Sequence, residues 1–172
     1  TTEKALITDS TFSGNTAGGA GGGMLSAASG LSPVTGVTFS GNQAGTDGGA
    51  FYSVTGISLL KHVTMVENTA ADSGGGVRIN TGLAYLANSL IAKNTSTNDN
   101  QDVDVSGDFY SVANNLIGDI GSVTGIFGGN DLFGSAASPL DPKLASLTNN
   151  GGTSPTHYPL IDSPVIDVGH DN

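Results

Sequence analysis

The 172-residue chain has no cysteine and no tryptophan, and only five of its residues are lysine or arginine. Without cysteine the chain has no disulfide, no thiol nucleophile and no thiolate metal site. Fifteen acidic residues against five basic ones give a formal charge of −10. Nucleic acid and anionic membranes are therefore excluded as partners, because both attract clustered lysine and arginine. An apolar run of about 18 residues is also missing, so we expect no membrane insertion.

Long amphipathic runs rich in leucine, alanine, glutamate and lysine are absent too, which excludes helical repeats. The chain instead has glycine clusters at 18–19, 21–23, 48–49 and 74–76, which would interrupt any helix. Short segments such as Val77-Arg78-Ile79 show the period of two that is typical of strands with one buried face. The sequence therefore predicts an all-β protein.

One motif returns along the chain at nearly constant spacing. The segment Thr11-Phe12-Ser13-Gly14-Asn15 recurs at 38–42 and, with changed residues, at 64–68 and 90–94, so that its asparagines lie 27, 26 and 26 residues apart. Self-similarity of this length indicates a solenoid, whose units bury their apolar faces against each other. Parallel crossovers are almost always right-handed. We predict a right-handed parallel β-helix (solenoid) of about five 26-residue rungs over residues 1–134.

Stacked rungs bring equivalent residues to a distance of about 4.8 Å, so each repeated position predicts a ladder. One core ladder is expected to contain Phe12, Phe39, Met65, Ile91 and Ile117. A second is expected to contain Leu25, Phe51, Val77 and Val103. A third apolar row follows the same step at Leu31, Ile57, Leu83 and Phe109. Three apolar rows predict a coil with three sides.

Polar residues also recur in register. Asparagine tolerates left-handed backbone angles, and its amide bonds the copies above and below, so we expect a structural ladder at one corner. It consists of Asn15, Asn42, Asn68 and Asn94, and is expected to stop there because Ile120 takes the next equivalent position. The outward positions are predicted to be Ser26, Tyr52, Arg78 and Asp104, with Arg78 beside Asp104.

The period fails in residues 135–172, which contain five of the six prolines. Proline cannot donate to a strand ladder and glycine pairs mark turns. We therefore predict an irregular C-terminal cap, part of the same domain, that lies over or beside the last rungs and covers their strand edges. At the other end Ala5-Leu6-Ile7 enters the repeat directly, so we expect the first rung to be uncovered.

Several short segments of the tail carry a family resemblance. Leu140-Asp141-Pro142-Lys143-Leu144, Asn149-Asn150-Gly151-Gly152-Thr153, Thr156-His157 and the segment 162–169 resemble, in this order, the closing segment of bacterial extracellular β-helix proteins of the choice-of-anchor type. The rungs, with FSGN followed by GGA or GGG, resemble the repeats of polymorphic outer-membrane proteins. The resemblance implies a secreted or cell-surface protein with an adhesive or structural role.

An enzyme is the alternative, because polysaccharide lysis or hydrolysis on such a fold needs a carboxylate cluster, or Ca²⁺ with a base. The one dense acidic segment, at 98–104, supplies Asp99, Asp102 and Asp104 as candidate Ca²⁺ ligands. Their spacing is not that of a known calcium loop, and polar loops are usually solvated turns. Basic residues occur about once per rung, as expected for surface charges. We therefore expect no cofactor and no catalytic residues.

The expected function is non-enzymatic. An exposed side of the solenoid would bind an extracellular polymer or a host surface, with Tyr52, Tyr85 and Tyr110 as candidate contacts. Alternatively, an uncovered first rung would stack head to tail on another copy and build a filament. A third interpretation is that the chain is a fragment of a larger adhesin.

Overall fold

The computed structural model describes residues 4, 6–98, 104–121, 123, 125 and 128–169. All regular secondary structure in these residues is β, and they contain no helix. The strands, in chain order, are β1 Ile7–Thr8, β2 Thr11–Ser13, β3 Thr16–Ala17, β4 Met24–Ser26, β5 Leu31–Thr35, β6 Thr38–Ser40, β7 Gln43–Ala44, β8 Phe51–Ser53, β9 Ile57–Lys61, β10 Thr64–Val66, β11 Thr69–Ala70, β12 Val77–Ile79, β13 Leu83–Ala87, β14 Leu90–Ala92, β15 Thr95–Ser96, β16 Val105–Ser106, β17 Phe109–Ala113, β18 Leu116–Ile117 and β19 Leu132–Phe133.

These strands form four parallel sheets. The long-strand sheet has the order β1-β5-β9-β13-β17, and the tail-covered sheet has the order β19-β18-β14-β10-β6-β2. The other two sheets have the orders β15-β11-β7-β3 and β16-β12-β8-β4; the latter is called the glycine sheet because glycine clusters precede its strands. The predicted parallel β-helix is confirmed, but the solenoid has about four turns and not five. After β18 the repeat continues through β19, and the described residues after β19 contain no further strand.

One row of inward side chains follows the predicted register and forms the centre of the core. Phe12 pairs with Phe39, and their rings stack with centroids 5.0 Å apart. The other pairs join Met65, Ile91 and Ile117 to the same row. All of these side chains are buried except Phe12, which lies half-buried at the first turn. Stacking of equivalent apolar residues thus removes them from water in every turn.

The register of the glycine sheet differs from the expected one at both of its ends. Met24, not Leu25, pairs with Phe51, and Leu25 is 49% exposed on the outer face. The first turn is one residue longer than the next, which moves every side chain of β4 to the opposite face. Val105 pairs with Val77, because the segment before β16 adds two residues to the step. Val103, predicted for that position, lies outside the described residues.

The long-strand sheet also corrects the predicted third row. Leu31, Ile57 and Leu83 pair with one another as expected, but they face outward. The buried positions of these strands alternate with the outward ones and include Val34, Leu60 and Leu86. Both faces of these strands are apolar, so alternation could not assign the inner one. Phe109 does lie in the core, since it pairs with Ala84 and not with Leu83.

The glycine clusters are explained by the close approach of adjacent turns. A Cβ atom added to Gly49 would lie 2.1 Å from the carbonyl oxygen of Gly75 in the next turn. Gly22 stands in the same relation to Gly49, at 2.3 Å. Only glycine permits this backbone spacing, which explains why the cluster returns in each turn.

A testable consequence concerns the corner before each ladder asparagine. Gly14 and Gly41 have φ near +63° there, and Glu67 takes the equivalent position with φ +60°. Left-handed backbone is unfavourable for an L side chain, so we expect Glu67→Gly to raise the free energy of unfolding by about 0.5–1 kcal/mol. Glu67→Ala keeps a Cβ atom at this φ and serves as the control. Urea unfolding checks the prediction, and equal stabilities of the two variants would contradict it.

The tail, residues 135–169, contacts the last turn but is not confined to it. It lies along the outer side of the tail-covered sheet and reaches back to the first turn. The Leu140 N–H donates to Gly118 in the last turn at 2.8 Å, whereas Thr11 in the first turn donates to the Pro155 carbonyl at 2.7 Å. The chain then returns, and Asn114 donates to the Val168 carbonyl. The outgoing and returning parts of the tail are linked by antiparallel bridges at 144/159 and 148/156.

The tail lies on this sheet because the outer face of the sheet is apolar. Val66, Leu90, Ala92 and Leu116 form a second buried cluster there, and side chains from β19 and the tail pack on it: Leu132, Leu140, Leu144 and Val165. The end of the stack is instead contacted by Ile120 and Val123, which pack against the main core. The tail-covered sheet therefore has no free outer face over this cluster.

Candidate functional site: a polar ladder and an exposed apolar face

The corner asparagines form a directed chain of hydrogen bonds. In each step the side-chain Nδ2 donates to the Oδ1 of the next asparagine at 2.8 Å, from Asn15 to Asn42, Asn68 and Asn94. The backbone N–H of each residue donates to the same Oδ1 atom, at 2.9–3.1 Å. Each amide oxygen beyond the first thus accepts two bonds from the preceding turn. The positions are those that the repeat predicted.

The ladder does not stop at Asn94, as expected, but continues to Asp104. The backbone N–H and Nδ2 of Asn94 both donate to Asp104 Oδ1, at 2.9 and 2.8 Å. Asp104 Oδ2 accepts the Asp119 N–H at 2.7 Å. A last member needs only to accept, and the two oxygens of a carboxyl group supply the acceptors that the three N–H donors require. Asp104 therefore terminates the ladder, which explains why it is buried and only 2% exposed.

Burial makes the Asp104 carboxyl an unusual acid. Loss of hydration raises its pKa from 3.8 to about 7, and the nearby Asp119 carboxyl adds to the increase. The N–H donors of Asn94 and Asp119 favour the ionised form, but they offset only part of the desolvation. The folded protein therefore holds this proton more tightly than the unfolded chain does.

A second corner is built in the same way, and the sequence reading missed it. The Ser89 N–H donates to Asn115 Oδ1 at 2.9 Å, and the Asn115 N–H donates to Asp131 Oδ1 at 2.9 Å. This ladder too ends in an aspartate. Its sequence signal is weak because the equivalent residues in earlier turns, Val37 and Val63, are apolar.

The acidic segment gives no metal site in the described residues. Asp99 and Asp102 lie outside them, and both oxygens of Asp104 accept N–H donors. No group of three His, Cys, Asp or Glu side chains that could hold a metal ion occurs in the described ranges. The expected outward pair is also corrected: Arg78 donates to Ser106, its register partner, because Asp104 points into the ladder. Ser26, also predicted outward, is buried.

His157 fastens the tail to the solenoid. Its Nδ1 lies 2.7 Å from the Ala145 carbonyl oxygen, and its Nε2 lies 3.0 Å from Ser40 Oγ. Both ring nitrogens are therefore in hydrogen bonds. A groove of about 250 Å³ lies between the tail and the solenoid, bordered by His62, Leu90, Leu144 and other residues.

The outer face of the long-strand sheet is an exposed apolar surface of the described solenoid. Tyr85 and Tyr110 are register partners on it, and their ring centroids lie 5.5 Å apart at 53°. Tyr52, the third predicted contact, lies on the glycine sheet. The face consists of Leu31, Pro33, Ile57, Leu59, Leu83, Tyr85, Tyr110 and Val112. Ile57 and Tyr110 are each 41% exposed, and Val112 is 57% exposed.

The four parallel sheets and the two polar ladders define the class of fold. It is a parallel β-solenoid whose corner ladders of asparagine each end in an aspartate. Comparison of the chain with protein-family profiles, curated proteins and solved structures returns no match. A search of the described residues for helices long and apolar enough to cross a membrane also finds none.

Proposed function

We propose that this protein is a non-enzymatic, secreted or cell-surface solenoid with a structural and adhesive role, and that it attaches to an extracellular polymer or host surface through the outer face of the long-strand sheet. The observation that carries the proposal is the exposed apolar face itself. A contiguous apolar surface on a soluble protein commonly marks an interaction site. The likeness of the tail and rungs to choice-of-anchor and polymorphic outer-membrane proteins supports the same location and role.

The rigidity of the scaffold supports adhesion. Each strand of the face is held by parallel partners on both sides, apart from those at the sheet edges. Beneath the face, Leu60 and Leu86 are fully buried, so the outward side chains stand on a packed core. Little conformational freedom is then lost on binding, which favours attachment by a small surface.

Adhesion assays with charge variants test the proposal. Ile57→Lys/Val112→Lys places two charges on the face, and we expect it to abolish retention on surfaces coated with neutral polysaccharide or matrix protein. Leu25→Lys/Tyr158→Lys is the control, because it adds the same charges at exposed apolar residues elsewhere. Equal retention of the two variants, or no retention of the wild type on any surface, would reject the proposal.

End-to-end assembly is a second candidate, favoured by the first turn. Strands β1 to β4 each have one described neighbour, and the core residues Ile7, Phe12 and Met24 are only half-buried there. The end of the ladder opposes it, because the Asp104 side chain has no N–H to donate to an asparagine of another copy. If assembly occurs, Ile7→Pro should remove filaments from electron micrographs while the β-rich circular dichroism persists.

The enzymatic alternative, a Ca²⁺-assisted polysaccharide lyase or hydrolase, makes a different prediction. It requires turnover of acidic polysaccharide that depends on Ca²⁺ and is lost in Asp102→Asn/Asp104→Asn. The hydrogen bonds that occupy Asp104 weigh against it. We propose that the protein binds its polymer without turnover and without a cofactor.

A further inference from the structure

We propose, resting on the function proposed above, that the outer face of the long-strand sheet binds a neutral polysaccharide chain, whose sugar rings lie flat on the apolar floor around Tyr85 and Tyr110. The proposal narrows the partner from any polymer to one chemical class. Four properties of the face carry it: its freedom from the tail, its size, its charge and the chemistry of its borders.

The face is free because the tail binds elsewhere. The apolar side chains of the tail, Leu140, Leu144 and Val165, pack on the tail-covered sheet. The hydrogen bonds of Leu140, His157 and the Pro155 carbonyl go to Gly118, Ser40 and Thr11, none of which lies in the long-strand sheet. Of these two apolar outer faces, the described part of the tail covers the tail-covered sheet and leaves the long-strand sheet uncovered.

The size of the face excludes a folded protein as a stable partner. It is formed mainly by four strands of five residues each. At about 4.8 Å between strands and 3.3 Å per residue, the area is about 300 Å². A stable protein interface, including a dimer of this chain, buries about 800 Å² on each partner. A narrow chain molecule fits the area better.

The charge of the face excludes polyanions. In the part of the chain that the structure describes, the outward positions of the four strands hold one charged side chain, Lys61, at the border. The whole chain carries a formal charge of −10. Nucleic acid or an acidic polysaccharide would be repelled at long range and would find no cluster of basic residues on contact. An uncharged ligand meets neither obstacle.

The borders of the face match the amphipathic shape of a sugar. A pyranose ring has apolar C–H faces and a rim of hydroxyl groups, so on this sheet it would bury its face on the floor. Its rim would then meet polar residues at the ends of the strands, since Thr35 and Lys61 end β5 and β9, and Thr55 and Thr81 precede β9 and β13. The two tyrosines add aromatic rings that have an apolar body and a polar tip, which suits a partly hydrated contact.

The tyrosines also provide a contact in two consecutive turns. Their rings are inclined at 53° to each other, so the pair presents two differently oriented surfaces about one strand spacing apart. Val112 lies two residues after Tyr110 on the same face. It has no register partner in β13, because Leu86 pairs with Ser111 and the next residue, Ala87, pairs with Ala113. The end of the face near β17 is therefore the expected centre of binding.

Affinity electrophoresis in gels that contain hydroxyethyl cellulose, a soluble neutral glucan, tests the proposal. We expect the polymer to retard the wild type, and Tyr110→Ala to weaken binding about tenfold or more. Val112→Asp should do the same from a second, more exposed position, and circular dichroism shows whether each variant folds. Tyr52→Ala is the matched control, since it removes a tyrosine from another sheet, and should bind within about twofold of the wild type.

Gels with galactomannan as a second neutral polymer and polygalacturonate as an acidic one distinguish the outcomes. Binding of either neutral polymer that Tyr110→Ala weakens and Tyr52→Ala does not would support the proposal. Binding to the acidic polymer alone, or equal loss in the two variants, would overturn it. If no polysaccharide binds but the face variants still abolish adhesion to matrix protein, this inference fails and the proposed adhesive function survives. If the face variants change nothing in either assay, both fail.

Discussion

Asn68→Ala is expected to lower the free energy of unfolding by about 3–5 kcal/mol, because Asn68 is the centre of the polar ladder. Its Oδ1 accepts both donors of Asn42, and its Nδ2 donates to Asn94 and to the Phe39 and Val66 carbonyls. Asn68 is fully buried, so water cannot replace these bonds. The truncation would leave several polar atoms without partners in two neighbouring turns.

Asn15→Ala is the matched control for this prediction. Asn15 belongs to the same ladder, but it is exposed and its side chain donates only to Asn42 in the described structure. We expect its replacement to cost about 1 kcal/mol or less. Urea unfolding followed by circular dichroism measures both values. Similar costs at the two positions would mean that the ladder does not stabilise the solenoid through its buried hydrogen bonds.

The second large effect concerns pH and Asp104. Its pKa is raised on folding to about 7, so the folded state binds a proton that the unfolded chain releases near pH 4. The stability from this group is fully present below pH 4 and is lost as the pH rises through 7. The loss is about 4 kcal/mol over this window. Ionisation of Asp104 should therefore make the protein less stable at neutral pH than at pH 4.5.

Asp104→Asn isolates this contribution because the amide does not titrate. Its Oδ1 can still accept from Asn94, whereas its Nδ2 would face the Asp119 N–H and cost some stability at every pH. We expect the difference in free energy of unfolding between wild type and variant to change by about 3 kcal/mol from pH 4.5 to 8. Parallel pH profiles for the two proteins would contradict the prediction.

The repeat predicted the fold because it marks both the turn length and one side of the coil. The FSGN motif joins an inward aromatic residue to a corner asparagine three residues later, and this spacing is kept in every turn to Asn94. A period of 26 residues is too short for paired helices and long enough for three short strands. The all-β parallel solenoid follows from these facts, although the last expected turn is incomplete.

The inner and outer faces of the long strands could not be predicted in the same way. Alternation identifies a buried face only when the other face is polar, and β9 and β13 have leucine at both kinds of position. The pattern therefore assigns the outward apolar residues to the core. Apolar residues on both faces make the inner face ambiguous in the sequence. The same apolar outer residues make this sheet the candidate binding face.

The repeat could not predict the positions of Asp104 and the tail, for a different reason. Asp104 follows Asn94 by ten residues instead of 26, so its place in the ladder does not follow from the repeat. The tail has no period, and its place is decided by contacts such as the one between His157 and Ser40, which are 117 residues apart. Long-range contacts of this kind leave no local pattern in the sequence.

The most direct test of the binding face uses the four tyrosines of the chain as reporters. Tyr85 and Tyr110 lie on the face, Tyr52 lies on the glycine sheet, and Tyr158 lies exposed in the tail. Hydroxyl-radical footprinting, with and without a polymer that the protein binds, measures the protection of each ring. We expect Tyr110 and Tyr85 to be protected while Tyr52 and Tyr158 react as before. Protection of Tyr52 or Tyr158 with Tyr110 unchanged would show that the protein binds through another surface.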